Sequence, residues 1–213
     1  MTINDLLKNN QAIYSIPDDR FYCVDDLLHN LNKFLLLYLK SIDQDNRRCQ
    51  IFNLNIAFAW YLALTNRFHL DIENLIWRRY SYKCPFCLDI PCGCKNNQIN
   101  KGKKTGRPSS RKPIMLAEWQ NLVKKIYPNQ NIAQTISLLI SNYQKMSDTF
   151  RIFMREKRKS QFREIETCMS DYFVLFMRVY NHYNDDIASS YKMMFKDGCY
   201  VCHQVPCECN YFE

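Results

Sequence analysis

Apolar residues recur every three or four positions through the long segments of this chain. In residues 24–40 they include Leu27, Leu28, Leu31, Phe34 and Leu35. This spacing places them along one face of an α-helix. Leu36, Leu37 and Leu39 widen that face. The wide apolar face predicts burial on more than one side, either at the centre of a bundle or against another part of the chain.

Glycine and proline are concentrated outside these periodic segments. The four glycines are Gly93, Gly102, Gly106 and Gly198, and the seven prolines are Pro17, Pro85, Pro91, Pro108, Pro113, Pro128 and Pro206. These two residue types interrupt helices most often, so long segments that lack both are typical of helices. The sequence therefore predicts an all-α protein.

The chain contains an internal repeat. At an offset of 115 residues, Phe58 aligns with Phe173, Asn66 with Asn181, and Asp71 with Asp186, without a gap. Closer to the start, Ile13-Tyr14 matches Ile126-Tyr127 at an offset of 113. We interpret residues 1–94 and 114–213 as two copies of one unit, joined by residues 95–113.

Each copy is predicted to contain four helices in the same order. A short opening helix ends at 13–14 or 126–128, and long helices follow at 24–40 or 133–157 and at 49–67 or 162–183. A last short helix covers 71–80 or 186–195 and leads into a cysteine-rich segment. We expect the two four-helix units to pack as an intramolecular pseudo-dimer.

The two cysteine-rich segments share the pattern C-x2-C-x4-C-x-C, with a proline before the third cysteine. The two sets are Cys84, Cys87, Cys92 and Cys94, and Cys199, Cys202, Cys207 and Cys209. Four thiolates at this spacing can surround one tetrahedral ion, and soft sulfur ligands favour zinc. Disulfides are the alternative, but a C-x-C pair is poorly placed to bond to itself. We therefore expect two structural zinc ions, with the remaining Cys23, Cys49 and Cys168 packed in the core.

The net charge of +8 is unevenly distributed. Seven of the 29 Lys and Arg residues lie in 95–113, which contains no acid, and this leaves 22 bases against 21 acids elsewhere. The segment is interpreted as a solvated, flexible tether. The alternative is a nucleic-acid-binding arm, with Gly106-Arg107-Pro108 entering a minor groove.

No apolar run is long enough to span a bilayer, since the densest, residues 34–39, is flanked by Lys33 and Lys40. The start of the chain does not resemble a secretory signal. The expectation is a cytoplasmic protein that does not enter a membrane, in a reducing compartment where thiols stay free to bind metal.

Several motifs resemble those of the MazG-like nucleotide pyrophosphohydrolases, a family within the all-α NTP pyrophosphatase superfamily. They are FAWYLALTNR at residues 58–67, Leu70-Asp71-Ile72, Tyr80 and the cysteine tail, and in the second copy Trp119, Ile126-Tyr127-Pro128 and Asp171-Tyr172-Phe173. The resemblance implies hydrolysis of a nucleoside triphosphate to a monophosphate. In that family magnesium is held by Glu-x-x-Glu on one long helix and Glu-x-x-Asp on the next.

Most of these carboxylates are missing here. The second motif falls on residues 53–56 and 168–171, where only Asp171 is acidic. The first falls near residues 32–35 and 144–147, with Asp148 as the acid nearest to the second copy. Magnesium needs several oxygen ligands to neutralise phosphate charge and orient water. The sequence therefore predicts that both copies are catalytically degenerate, with Mg²⁺ required only if activity survives.

Lysines take the place of the missing acids. Lys33 and Lys145 match in the two copies, next to Asn32 and Gln144. A lysine can contact phosphate directly, so these four residues are candidate ligands of a nucleotide; solvated lysines are the alternative.

The resulting hypothesis is a nucleotide-sensing or protein-binding regulatory or scaffold subunit, whose expected partners are a nucleotide and either another protein or a second copy of the chain. One alternative is an active Mg²⁺-dependent pyrophosphohydrolase that uses Asp171, Asp148 and Glu164 or Glu166. The other is nucleic-acid binding through 95–113.

Overall fold

The computed structural model describes residues 1–94, 111–128 and 131–209. Over these ranges the chain forms eight α-helices and no β-strand, which confirms the all-α prediction. The helices are α1 (Ile3–Phe21), α2 (Val24–Asp43), α3 (Arg47–Arg67), α4 (Ile72–Tyr80), α5 (Leu116–Ile126), α6 (Ile132–Glu156), α7 (Lys159–His182) and α8 (Ile187–Phe195). Within the described residues, no helix is both long and apolar enough to cross a membrane.

Equivalent residues begin equivalent helices in the two halves. Asp71 caps α4 by accepting a hydrogen bond from the Asn74 N–H at 3.2 Å, and Asp186 caps α8 by accepting one from the Ser189 N–H at 2.8 Å. A carboxylate at this position satisfies a backbone donor that has no partner within the helix. The repeat detected in the sequence is therefore also a repeat of local structure.

Helix α1 is longer than predicted. It was expected to end at residues 13–14, but it continues through a buried Pro17 to Phe21. The guanidinium of Arg67 donates to the carbonyl oxygens of Asp18 and Tyr22, which lie at the end of α1. The Asp18 carbonyl also accepts from the Tyr22 N–H within the helix's own last turn. The contact from α3 adds a second donor there and supplies one to the Tyr22 carbonyl, which helps to fix the end of the helix beyond the proline.

The core is centred on aromatic residues of α3 and α7. The Phe58 ring lies 5.6 Å from its repeat equivalent Phe173, and the Tyr61 ring lies 5.7 Å from its equivalent Phe176. The reciprocal contacts are also present, with Phe58–Phe176 at 5.1 Å and Tyr61–Phe173 at 5.8 Å. Contacts between equivalent residues are the signature of a two-fold interface, so the two halves pack about a pseudo-two-fold axis.

The last helix of each half packs against the other half. Helix α4 contacts α7, and α8 contacts α3. At the second of these interfaces the side-chain amide of Asn55 donates to the Ser190 carbonyl at 3.4 Å. The starts of α1 and α5 also meet, in an antiparallel bridge between Thr2 and Met115. The halves are interlocked rather than stacked side by side.

Two sequence-based predictions of burial were wrong. The side chains of Leu36 and Leu37 are 55% and 38% exposed, because α2 packs through the face that carries Leu31, Leu35 and Tyr38. Of the three cysteines expected in the core, only Cys168 is buried. Cys23 is exposed at the cap of α2, and Cys49 is exposed in the first turn of α3.

Candidate functional site

Each cysteine segment brings four sulfur atoms into a compact group. In the first, the Sγ atoms of Cys84 and Cys94 are 3.8 Å apart, and those of Cys87 and Cys92 are 3.9 Å apart. In the second, the corresponding separations are 3.7 Å for Cys199–Cys209 and 3.8 Å for Cys202–Cys207. Within each group all four sulfur atoms lie within 4.8 Å of one another. We call these groups the first and second cysteine clusters.

These separations fit a metal ion and do not fit disulfides. A tetrahedron with metal–sulfur bonds of about 2.3 Å has edges of about 3.8 Å, whereas a disulfide bond measures about 2.05 Å. Both clusters can therefore hold a metal ion, as the sequence spacing predicted.

Turns of matching conformation shape the two clusters. Leu88 and its equivalent His203 both adopt positive φ, and the peptide bonds before Pro91 and Pro206 are both cis. The Cys84 N–H donates to the Asp89 carbonyl at 3.0 Å, just as Cys199 donates to Gln204 at 3.1 Å. His203, the histidine inside the second cluster's segment, is exposed at its turn and is not one of the four clustered side chains.

Backbone N–H groups favour the thiolate form that a metal requires. Desolvation opposes ionisation of Cys202, but the N–H groups of Gln204 and Glu208 point at its sulfur, and the net effect lowers its pKa to about 6. The same balance, with N–H groups of Asp89 and Gly93, lowers the pKa of Cys87 to about 7. One thiol in each cluster is therefore favoured as the thiolate that a metal binds. Burial and the neighbouring thiols act the other way elsewhere, since they raise the pKa of Cys92 to about 11 and also raise the pKa of Cys94 and Cys209.

Each cluster docks on the first helix of the opposite half. The Cys92 N–H donates to the carbonyl of Ile126, at the end of α5, at 2.7 Å. The Cys207 N–H donates to the carbonyl of Ile13, in α1, also at 2.7 Å. Ile13 and Ile126 are repeat equivalents, so the two docking contacts are the same contact made twice. Each cluster stands at the C-terminal end of its own half and also binds it to the other half.

A tyrosine follows each docking carbonyl and lies beside the cluster. The Tyr127 hydroxyl donates to the Cys84 sulfur at 3.6 Å. Burial raises the pKa of Tyr14, and the neighbouring Cys199 raises it further. Both phenols are therefore neutral. The Ile-Tyr pair that revealed the repeat in the sequence is thus the docking element for the clusters.

A cavity of about 280 Å³ lies between α1, α2, α3 and the second cluster. Asn30 and Lys33 line it from α2, Asp18 lines it from α1, and Cys199 and Cys209 close one side. Six aromatic residues form most of the remaining wall: Tyr14, Tyr22, Phe34, Trp60, Phe195 and Tyr200. The cavity is large enough for a small ligand with a flat apolar body.

The repeat breaks down at this cavity. Ile56, Ala59 and Ala63 line it from α3, and their equivalents in α7 are Asp171, Val174 and Arg178. The Arg178 guanidinium lies over the Tyr127 ring at 4.5 Å and donates to the Thr135 hydroxyl at 3.1 Å. Large and charged side chains thus take the corresponding positions in the second half, so the two copies are not interchangeable as binding sites.

Asp171, the one acid at the predicted position of the second motif, forms hydrogen bonds with residues of α4. Its carboxylate accepts two hydrogen bonds from Arg79, one of them at 2.8 Å, and one from the Tyr80 hydroxyl at 2.6 Å. Desolvation opposes the charge on Arg79, but Asp171 outweighs it and raises the pKa of the guanidinium. The carboxylate belongs to an ion pair between the halves.

The other acids considered for catalysis lie apart from Asp171. Asp148 is exposed and accepts from the Gln144 side chain at 3.2 Å. Glu164 is exposed, and Glu166 lies 4.0 Å from Arg78. Over residues 1–94, 111–128 and 131–209, the two cysteine clusters are the only groups of three or more Cys, His, Asp or Glu side chains placed to share a metal ion.

Replacing Asp171 by alanine is expected to lower the free energy of unfolding by roughly 2–4 kcal/mol, since Arg79 and Tyr80 would lose their shared acceptor in a half-buried site. Asp148→Ala is the matched control and should change it by less than about 0.5 kcal/mol. Urea titrations of both variants measure the difference, and equal stabilities would contradict a structural role for Asp171.

The predicted ligand residues are placed differently from one another. Lys33 lines the cavity, and its Nζ lies 5.8 Å from the centre of the Phe34 ring. Asn32 is half-buried on α2 but does not line the cavity, where Asn30 does. Lys145 and Gln144 are exposed on α6. The structure therefore places one of the four residues at the cavity.

The segment 95–113 lies mostly outside the described residues, so its interpretation as a tether or a nucleic-acid-binding arm stays a prediction. At its described end, the Lys112 ammonium forms an ion pair with Glu73 at 2.8 Å.

Comparisons of the chain with models of protein families, with curated proteins and with solved structures gave no significant match. The resemblance to MazG-like pyrophosphohydrolases therefore rests on the sequence motifs given above and stays a prediction.

Proposed function

We propose that the protein binds a nucleotide without hydrolysing it, as a catalytically degenerate MazG-like protein with two structural zinc ions. The observation that carries this proposal is the aromatic cavity of about 280 Å³ with Lys33 among its lining residues. A nucleobase and its sugar have the size and flatness that this cavity accepts.

The chemistry of the cavity wall suits the two parts of a nucleotide. Tyr22 and Trp60 meet edge to face with ring centres 5.2 Å apart, and aromatic faces of this kind stack on bases. Lys33 adds a positive charge, and a lysine ammonium is a common partner of phosphate. An apolar body with an anionic end matches both features.

Binding without turnover follows from the carboxylates. Phosphoryl chemistry of the family's type needs magnesium held by several oxygens. Asp171 is paired with Arg79, and Asp148 lies on an exposed face of α6. The alternative of a surviving pyrophosphohydrolase would require Asp171 to leave this ion pair.

Zinc is the metal proposed for the cysteine clusters, because four thiolates at tetrahedral spacing are its usual structural ligand set. When bound, it would supply rigidity and charge neutralisation. The second cluster also forms one wall of the cavity, through Cys199 and Cys209. Metal binding by the second cluster would therefore also fix the shape of this wall of the cavity.

The test is calorimetric titration of the zinc-loaded protein with ribo- and deoxynucleoside triphosphates, with and without Mg²⁺, followed by an assay for pyrophosphate. Binding of at least one nucleotide without pyrophosphate release is the expected result. Release that requires Mg²⁺ would overturn the degenerate assignment, and no binding of any nucleotide would overturn the proposed function.

Lys33→Met is expected to weaken nucleotide binding roughly tenfold, because a charge-assisted hydrogen bond to phosphate would be lost. Binding of the matching nucleoside, which lacks phosphate, should be unchanged. Lys145→Met is the matched control, since Lys145 is the repeat equivalent in the half where Arg178 takes the cavity position. If the two variants weakened binding equally, the cavity would not be the binding site.

A further inference from the structure

Asp18 is a buried carboxylate on the wall of the cavity. It is 7% exposed, in the last part of α1. In the part of the chain that the structure describes, its backbone carbonyl accepts from Arg67 and Tyr22, but no hydrogen bond reaches its side-chain oxygens. Burying a carboxylate without hydrogen-bond donors costs free energy. We therefore ask which ligand could supply donors to Asp18.

The nearest cation is already committed elsewhere. Arg67 forms an ion pair with the exposed Asp19 at 3.2 Å and donates to the carbonyls of Asp18 and Tyr22. It acts on the Asp18 carboxyl only through its charge. Burial nevertheless dominates and raises the pKa of Asp18 to about 7. A ligand that donates hydrogen bonds to both side-chain oxygens would favour the ionised carboxylate, and Asp18 is open to such a ligand because it lines the cavity.

A carboxylate recognises a distinctive pattern of donors. It has two acceptor oxygens and no donor, so its best partner presents two adjacent N–H groups, as arginine does in a fork. Among the common bases, guanine offers this pattern, with its ring N–H beside its exocyclic amino group. On the corresponding edges of adenine and cytosine an acceptor nitrogen stands beside the amino group, and uracil's N–H lies between two carbonyls.

We propose that Asp18 selects a guanine-type base within the cavity, accepting hydrogen bonds from two adjacent N–H groups while the aromatic wall holds the ring. This inference rests on the proposed nucleotide-binding function and adds the identity of the base. The remaining groups agree with it. Lys33 favours an anionic end, which disfavours a simple organic cation as the ligand despite the aromatic wall and the carboxylate.

The experiment measures the affinities of the zinc-loaded protein for guanosine, adenosine, cytidine and uridine monophosphates, in the wild type, Asp18→Asn and Asp19→Asn. Quenching of tryptophan fluorescence is the readout, since Trp60 lines the cavity. The wild type is expected to bind the guanine nucleotide at least about tenfold more tightly than the others, the size of effect that buried hydrogen-bond recognition gives.

Asp18→Asn is expected to remove that preference, because an amide presents one donor and one acceptor in place of two acceptors. It should keep its fold, as an uncharged side chain is easier to bury; circular dichroism checks this. Asp19→Asn is the matched control, as its carboxylate is exposed, and it should keep the preference.

The failures are distinguishable. Equal affinities for all four nucleotides, or a guanine preference that survives in Asp18→Asn, would overturn the role of Asp18 and leave nucleotide binding intact. No binding of any nucleotide would overturn both the role and the proposed function. Guanosine, without phosphate, should keep the base preference at lower affinity, which separates the contribution of Asp18 from that of Lys33.

Discussion

Loss of metal from the cysteine clusters is expected to loosen the contact between the two halves as well as the clusters themselves. In Cys84→Ser and Cys199→Ser, the free energy of unfolding should fall by roughly 5 kcal/mol or more, given that structural zinc contributes about 10–16 kcal/mol in small domains. The reason is the docking geometry, in which Cys92 and Cys207 donate to the carbonyls of Ile126 and Ile13.

Three measurements check this prediction. A chromogenic chelator should release about two zinc ions per chain, and thermal unfolding should shift downward once the ions are removed. Amide hydrogen exchange should then rise around Ile13 and Ile126, on the helices opposite the clusters. Cys23→Ser and Cys49→Ser, which replace exposed thiols outside the clusters, are the controls and should change neither metal content nor stability. A chain that unfolds at the same temperature with and without metal would contradict the structural role.

Truncation of Phe58 is expected to be the most damaging change in the core. Phe58 is 0% exposed, and its ring meets those of five aromatic residues: Tyr61, Phe173, Phe176, Tyr180 and Tyr191. Phe58→Ala should lower the free energy of unfolding by roughly 3–5 kcal/mol, because the side chain's transfer energy is lost and a cavity opens on the pseudo-two-fold axis.

Chemical denaturation measures the effect, and Phe52→Ala is the control. Phe52 lies on the same helix but is 42% exposed, with one edge contact to Tyr200 at 5.9 Å. Its truncation should cost less than about 1 kcal/mol. The pseudo-symmetry adds a second expectation, that Phe173→Ala costs nearly as much as Phe58→Ala. A cost for Phe58→Ala as small as that for Phe52→Ala would mean that the halves do not share this core.

Much of the architecture could be predicted because its signals are local. Helical periodicity, the rarity of glycine and proline, and the caps Asp71 and Asp186 each act within a few residues. The docking of each cluster on the opposite half has no such local signal in the sequence. Two copies of one unit have the same periodicity whether the last segment docks on its own half or on the other. The end of α1 past Pro17 is contacted by Arg67, some 50 residues away, and so was missed too.

The candidate site shows the same division. Spacing alone predicted the two groups of four cysteines that the structure brings together, since each turn geometry is encoded in eleven consecutive residues. Asp18 was missed because it stands in a run of charged residues with Asp19 and Arg20, and such a run is typical of a solvent-exposed helix face. One signal was present in the sequence. Aligning the copies sets Ala59 and Ala63 against Val174 and Arg178, and these smaller side chains in the first copy are what leave room for the cavity.

The exchanged docking also bears on how the chain is made. On the ribosome, the first cluster is complete once Cys94 has emerged, whereas its docking site at Ile126 emerges only later. The contact between Ile13 of α1 and Cys207 forms later still, because Cys207 lies near the end of the sequence. The final contacts therefore join segments far apart in translation order, which slows folding. A nascent first half can meet the same partner surface on a neighbouring chain, so fusion of the two copies in one gene shortens the search and favours pairing within the chain.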